Sequence, residues 1–174
     1  MENPATLYFS TYTILYWKEA LREDTYKEII LSSLEFLVIN ERIKLYGFVI
    51  MPNHIHLIWM IHEGYVLQNV QRDFLKFTAQ QIKYKMQESN NPLLNELKVT
   101  AKDRKFQIWE RNGFSFLLNN TATIIQKLNY IHLNPVREKW SLSQTPSEYR
   151  YSSARFYETE VDEFGFLSHI SEVL

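Results

Sequence analysis

Met51-Pro52-Asn53-His54-Ile55-His56-Leu57-Ile58-Trp59 is the stretch on which the reading of this chain turns. From His54 to Ile61 the composition is that of a strand. Side chains alternate across a strand, so His54 and His56 leave one face and Ile55 the other. Two imidazoles on one rigid face make a ready pair of ligands for a divalent metal. Ile43 to Met51 reads as the strand before it. Pro52-Asn53 is a connection so short that the two strands should pair antiparallel.

Further out, Ala5 to Tyr16 carries β-branched and aromatic residues and reads as a strand. Asp24 or Thr25 can cap a helix to about Asn40, with Ile29, Ile30, Leu34, Leu37 and Val38 at helical spacing. Val66 to Met86 reads as a long amphipathic helix, with Val70, Phe74, Phe77 and Ile82 toward the core and Lys76, Lys83 and Lys85 able to reach solvent. Residues 93–105 read as a loop or short helix, and Phe106 to Trp109 as a candidate short strand. Asn119, Asn120 or Thr121 can cap a helix carrying Ile124, Ile125, Leu128 and Ile131. It should end near Asn134, because a residue before proline avoids the α region. The pattern is that of an α+β domain: an antiparallel sheet with helices packed on it, most simply on one face, in a ferredoxin-like arrangement.

With 174 residues, one domain spanning 1–174 is expected, its core about 5–157 and its end, 158–174, an acidic tail. A hydrophobic fraction of 45% and an aromatic fraction of 15% exclude a disordered chain. There is no cysteine, hence no disulfide and no thiolate metal site. No secretory signal pattern is visible, and no apolar run approaches the roughly 18 residues of a membrane span, so a soluble cytoplasmic protein is expected. The net charge of −1 does not suit indiscriminate nucleic-acid binding, but nine basic and five acidic residues lie between Gln71 and Arg111.

The second informative stretch is Asn129-Tyr130-Ile131-His132-Leu133-Asn134-Pro135-Val136-Arg137. Residues four apart share a helical face, so Tyr130 and Asn134 project together while Ile131 turns away. Lys127 lies near that face, and His132 should point elsewhere. A phenol is a legitimate nucleophile and an amide oxygen a legitimate third ligand. Read singly, Tyr130 is a packed aromatic and Asn134 a helix-end residue. His62 follows on the strand face of His54 and His56 as a possible alternate ligand.

Together the two stretches resemble the histidine–hydrophobe–histidine (HUH) endonucleases of the single-tyrosine branch. The Tyr-Ile-His-Leu-Asn-Pro-Val-Arg string is most similar to the REP-associated tyrosine transposases. Phe74-Leu75-Lys76-Phe77-Thr78-Ala79, Ile108-Trp109-Glu110-Arg111 and Tyr149-Arg150-Tyr151-Ser152-Ser153 also fit. The resemblance implies the ferredoxin-like, RRM-like HUH endonuclease fold and a DNA transposase. It implies Mg²⁺ or Mn²⁺ at His54, His56 and Asn134, with Tyr130 attacking single-stranded or hairpin DNA to leave a 5′-phosphotyrosine and a free 3′-OH. Such proteins act as monomers or homodimers. Lys76, Lys127 and Arg137 are candidate DNA contacts, and His132 a candidate for hydrogen bonding behind the ligands. Trp59, Trp109, Tyr8 and Tyr12 are candidates for stacking on bases. Glu138-Lys139-Trp140 departs from the family, which often has glycine after the string. A non-catalytic single-strand-binding module and a metallo-hydrolase using water are the competing readings.

Overall fold

The computed structural model describes residues 6–174. Four strands, β1 (Thr6–Thr13), β2 (Ile43–Ile50), β3 (His54–Ile61) and β4 (Phe114–Leu117), form one antiparallel sheet in the order β2-β3-β1-β4. The helices are α1 (Asp24–Ile39), α2 (Leu67–Glu88), α3 (Leu93–Glu96), α4 (Thr121–Leu133) and α5 (Ala154–Thr159). This is the α+β layered sheet expected from sequence. The connection after β2 is tight: the Met51 backbone N–H donates to the His54 carbonyl at 2.8 Å, and the hairpin then pairs Ile50 with Ile55. The proposed first-strand residue Ala5 lies outside the described residues.

The sheet is covered on both faces, not one. On the face of Trp59 and Tyr12, α2 inserts Phe74, whose ring lies 6.1 Å from Trp59 and 6.2 Å from Tyr12. α1 packs beside α2 on this side. On the face of His54 and His56 lies α4. It is seated over Gly47, where an added Cβ would stand 2.8 Å from Leu128 Cδ1 and 3.0 Å from Ile131 Cδ1. The missing side chain lets the helix approach the sheet. Gly47→Val should therefore overpack this contact and lower stability by about 2 kcal/mol, read from denaturant midpoints at unchanged slope.

Two elements differ from the sequence reading. Phe106 to Trp109 forms only isolated bridges, Lys98 with Phe106 and Ile14 with Trp109. The fourth strand is instead β4, an edge strand only partly buried, whose hydrophobic alternation is correspondingly weak. Phe77 is 51% exposed. The buried stripe of α2 runs Val70, Phe74, Thr78, Ile82, Met86 in steps of four, which leaves Phe77 beside it. Thr78 belongs to the stripe because its hydroxyl accepts the Trp109 indole N–H at 3.0 Å.

The free edge of β2 is closed by later chain. Ile50 N–H donates to the Tyr151 carbonyl, Ser153 N–H to the Phe48 carbonyl, and Ser168 N–H to the Leu45 carbonyl. Phe166 and Ile170 are buried, so the acidic C-terminal segment is docked on the sheet edge. Covering an edge removes a template for unwanted strand pairing.

Candidate active site: a cationic cleft around twin histidines

His54 and His56 open β3, each opposite a β1 threonine: Thr13 faces His54 and Thr11 faces His56. Their rings lie 4.7 Å apart. α4 begins with Asn120, whose side-chain oxygen accepts the Thr123 N–H at 2.9 Å. Its Leu128 and Ile131 face the sheet, which leaves Lys127, Tyr130 and Asn134 bordering the histidines. The Tyr130 ring stands 5.3 Å from that of His56, edge to face. Asn134, in the 3-10 turn that follows α4, donates its amide N–H to His54 Nε2 at 3.3 Å. Helix and strand thus meet across one open cleft of about 480 Å³.

The ring nitrogens are held from behind. The Asn53 amide is oriented by its Nδ2, which donates to the Trp17 carbonyl at 3.4 Å. Its Oδ1 accepts from His54 Nδ1–H at 2.6 Å, so His54 Nε2 carries a lone pair. His56 Nδ1 bonds the Thr11 hydroxyl at 2.7 Å, and His56 Nε2 is buried with no partner among the described residues. Burial, with Lys139 nearby, lowers the His54 pKa to about 4. Burial, His54, Lys127 and Arg137 lower that of His56 to about 3. Both imidazoles are neutral at pH 7, the form that binds metals.

The cleft carries Lys127, Arg137 and Lys139 and no carboxylate. The Arg137 guanidinium lies 4.4 Å from the Tyr130 ring centre, and Lys127 Nζ lies 5.3 Å from it. These cations lower the cost of negative charge beside the ring and suit a phosphate-bearing ligand.

No cluster of three or more His, Asp or Glu side chains forms a metal site among the described residues. The donor set available is two imidazoles and one amide. The unpartnered His56 Nε2, the lone pair on His54 Nε2 and the adjacent Asn134 amide fit a divalent cation, with Asn134 presenting Oδ1 in place of its nitrogen.

Not every residue singled out from sequence is here. Lys76 lies in a separate groove of about 600 Å³ on the α2 side, with Arg72, Lys83, Arg104 and Arg111. His132 points away from the cleft: its Nε2 bonds Ser153 Oγ at 2.7 Å, and its ring packs 5.3 Å from Tyr157. His62, just past the end of β3, lines a different cavity with Thr6 and Tyr8. The strand rise alone separates it from His54 by roughly 25 Å. Of the stacking candidates, Trp59, Trp109 and Tyr12 belong to the core. The cleft instead adds Trp17, Phe114, Lys139 and Trp140. No local periodicity flagged these, although the Glu138-Lys139-Trp140 departure contained two of them.

Burial also lowers the His132 pKa to about 4. An unfolded imidazole titrates near ~6.5, so below that pH the unfolded chain takes up protons that folded His54, His56 and His132 refuse. Stability should be constant in these groups above pH ~6.5 and fall as the pH drops toward their folded values. His132→Gln should make the stability-against-pH slope between pH 6 and 4.5 shallower by about one proton, measured by denaturant unfolding across that range.

No family model matches this chain, and no curated protein matches it in sequence. Its fold is nevertheless one seen among solved transposase structures. A REP-associated tyrosine transposase bound to a REP hairpin superposes with a TM-score of 0.65, covering 98% of this chain and 90% of its own, at 16% identity. A Deinococcus radiodurans protein assigned as a transposase gives a TM-score of 0.51 over 74% of this chain and 90% of its own, at 15% identity. At these identities the likeness is one of fold. No helix among the described residues is long and apolar enough to cross a membrane.

Proposed function

We propose that this protein is a metal-dependent tyrosine transposase that cleaves and rejoins single-stranded DNA through a covalent 5′-phosphotyrosine, at palindromic or hairpin elements. The observation that carries the reading is the meeting of Tyr130 and Asn134 with His54 and His56 in one cleft lined by three cations and no carboxylate. The fold shared with a hairpin-bound tyrosine transposase supports the same reading.

His54, His56 and Asn134 would hold Mg²⁺ or Mn²⁺, which supplies charge withdrawal from the scissile phosphate. Lys127, Arg137 and Lys139 bind and orient the phosphate backbone. Tyr130 Oη attacks phosphorus. The Oη–P bond forms, the P–O3′ bond breaks, and the 3′ oxygen leaves as a hydroxyl once protonated, the phenol having lost its proton. Because the phosphodiester is exchanged and not hydrolysed, the 3′-OH of the same or another strand can reverse the step without an energy source. Asn53 and Thr11 keep the imidazoles in place. Lys76 and its neighbours on the far face of the sheet form a second basic groove suited to phosphates outside the cleft.

The test is direct. Incubated with single-stranded or hairpin oligonucleotides and Mn²⁺, the protein should form a DNA adduct that survives denaturation. Binding without an adduct would favour a single-strand-binding module. Cleavage with free 5′-phosphate ends would favour a metallo-hydrolase.

A further inference from the structure

Immediately after β1 the chain turns through Leu15–Trp17 in a short 3-10 turn. Tyr16 (φ 56°) and Trp17 (φ 57°) are consecutive, bulky, and both left-handed. A single such residue is uncommon, and two together persist only when the surroundings over-determine them. Here the pinning contacts are visible. Glu110 Oε1 accepts the Tyr16 N–H at 2.8 Å, and the Asn53 amide donates to the Trp17 carbonyl. The same Asn53 holds His54, so one side chain ties the corner to the twin histidines.

The strained corner presents an indole to water. Trp17 is 64% exposed at the border of the histidine cleft, which also contains Trp140 and the 60% exposed Phe114. The other two tryptophans outside this cleft, Trp59 and Trp109, are buried, and each spends its indole N–H on a hydroxyl inside the core. Trp140 lies 6.0 Å from His54, ring to ring. An exposed aromatic on a rigid corner, in a cleft with Lys127, Arg137 and Lys139, combines a stacking surface with backbone neutralisation. That pairing of chemistries binds an unpaired nucleobase on its phosphate chain.

We propose that the Tyr16–Trp17 corner is a base-binding platform, on which Trp17 stacks an unpaired base next to the phosphate held by the cleft. This rests on the single-stranded DNA reading above and adds a base-binding residue to it. The left-handed backbone sets the indole at the rim, and Asn53 sets the distance of the stacked base from the imidazoles.

The experiment uses the full-length protein and two fluorescein-labelled probes, oligodeoxythymidine of fifteen nucleotides and the same length of abasic backbone. Wild type should bind the thymidine probe more tightly by roughly tenfold or more, the worth of a stacked base. Trp17→Ala should lose most of that preference, and Trp17→Phe should keep most of it. Arg137→Ala should weaken both probes alike. Thermal unfolding confirms that each variant is folded. Full preference retained in Trp17→Ala overturns the platform while leaving the transposase reading intact. A Trp17→Ala variant that keeps the preference but loses self-association in sedimentation overturns it as well, and assigns the corner to a subunit interface. A wild type that binds neither probe overturns both readings.

Discussion

Tyr130→Phe should abolish the covalent protein–DNA adduct while leaving oligonucleotide binding within about twofold. The substitution removes one oxygen and keeps the ring. That ring is held by His56 at 5.3 Å, by Phe9 at 6.3 Å and by the Arg137 guanidinium at 4.4 Å. None of these contacts needs the hydroxyl, so the cleft should keep its shape and its three cations. What is lost is the attacking atom, and removing a nucleophile costs on the order of 10³-fold or more in rate. The measurement is adduct yield on a denaturing gel with Mn²⁺ present, alongside affinity by fluorescence anisotropy. An adduct of undiminished yield in the variant would reject Tyr130 as the nucleophile. Undiminished cleavage without any adduct would instead make water the nucleophile.

His56→Ala is expected to have the next largest effect. His56 Nε2 is a buried polar atom beside Tyr130 with no partner among the described residues, and a buried polar atom with nothing to bind is costly to maintain. A cation removes that cost. Losing one of three protein donors should weaken Mn²⁺ binding by about a hundredfold, comparable to or beyond the loss from disturbing the groups behind a ligand. Cleavage should fall with it. The ring also packs at 5.4 Å on Phe9, so part of any loss comes from packing. His56→Gln separates the two: it refills the space and still lacks the imidazole. Both variants should show weakened Mn²⁺ binding by calorimetry or electron paramagnetic resonance, while phosphate contacts from Lys127 and Arg137 preserve DNA binding. Wild-type Mn²⁺ affinity in both variants would remove His56 from the metal site. Because burial keeps the imidazoles neutral to pH values near their lowered pKa, Mn²⁺ binding should persist at pH 5.5, where an exposed histidine pair is largely protonated.

Much of the fold is written in local patterns. The strand from His54 to Ile61 follows from its β-branched and aromatic composition, and the helix from Asp24 to Ile39 from apolar residues at a period of 3.6. Asn120 marks a helix start because its side chain can satisfy an N–H left free there. The edge strand β4 was not legible for the converse reason: half its side chains meet water, so burial writes no alternation into it. The same limit misplaced the stacking aromatics. Trp59 and Trp17 are equivalent as letters; one is core because α2 covers its sheet face, and the other is rim because it stands on the turn that follows β1.

By itself the sequence determined two facing pairs, His54 with His56 and Tyr130 with Asn134, since neighbours on one strand face or one helix face are settled by chain geometry. Only the tertiary structure decided that the pairs meet. α4 could have joined α1 and α2, and it lies on the opposite face because Gly47 admits Leu128 and Ile131 there. Thr11, Trp17 and Trp140 line the cleft, Asn53 stands behind it, and Lys76 and His132 lie elsewhere. Which apolar surfaces are buried against each other is settled across long sequence separations, by the packing of the whole chain.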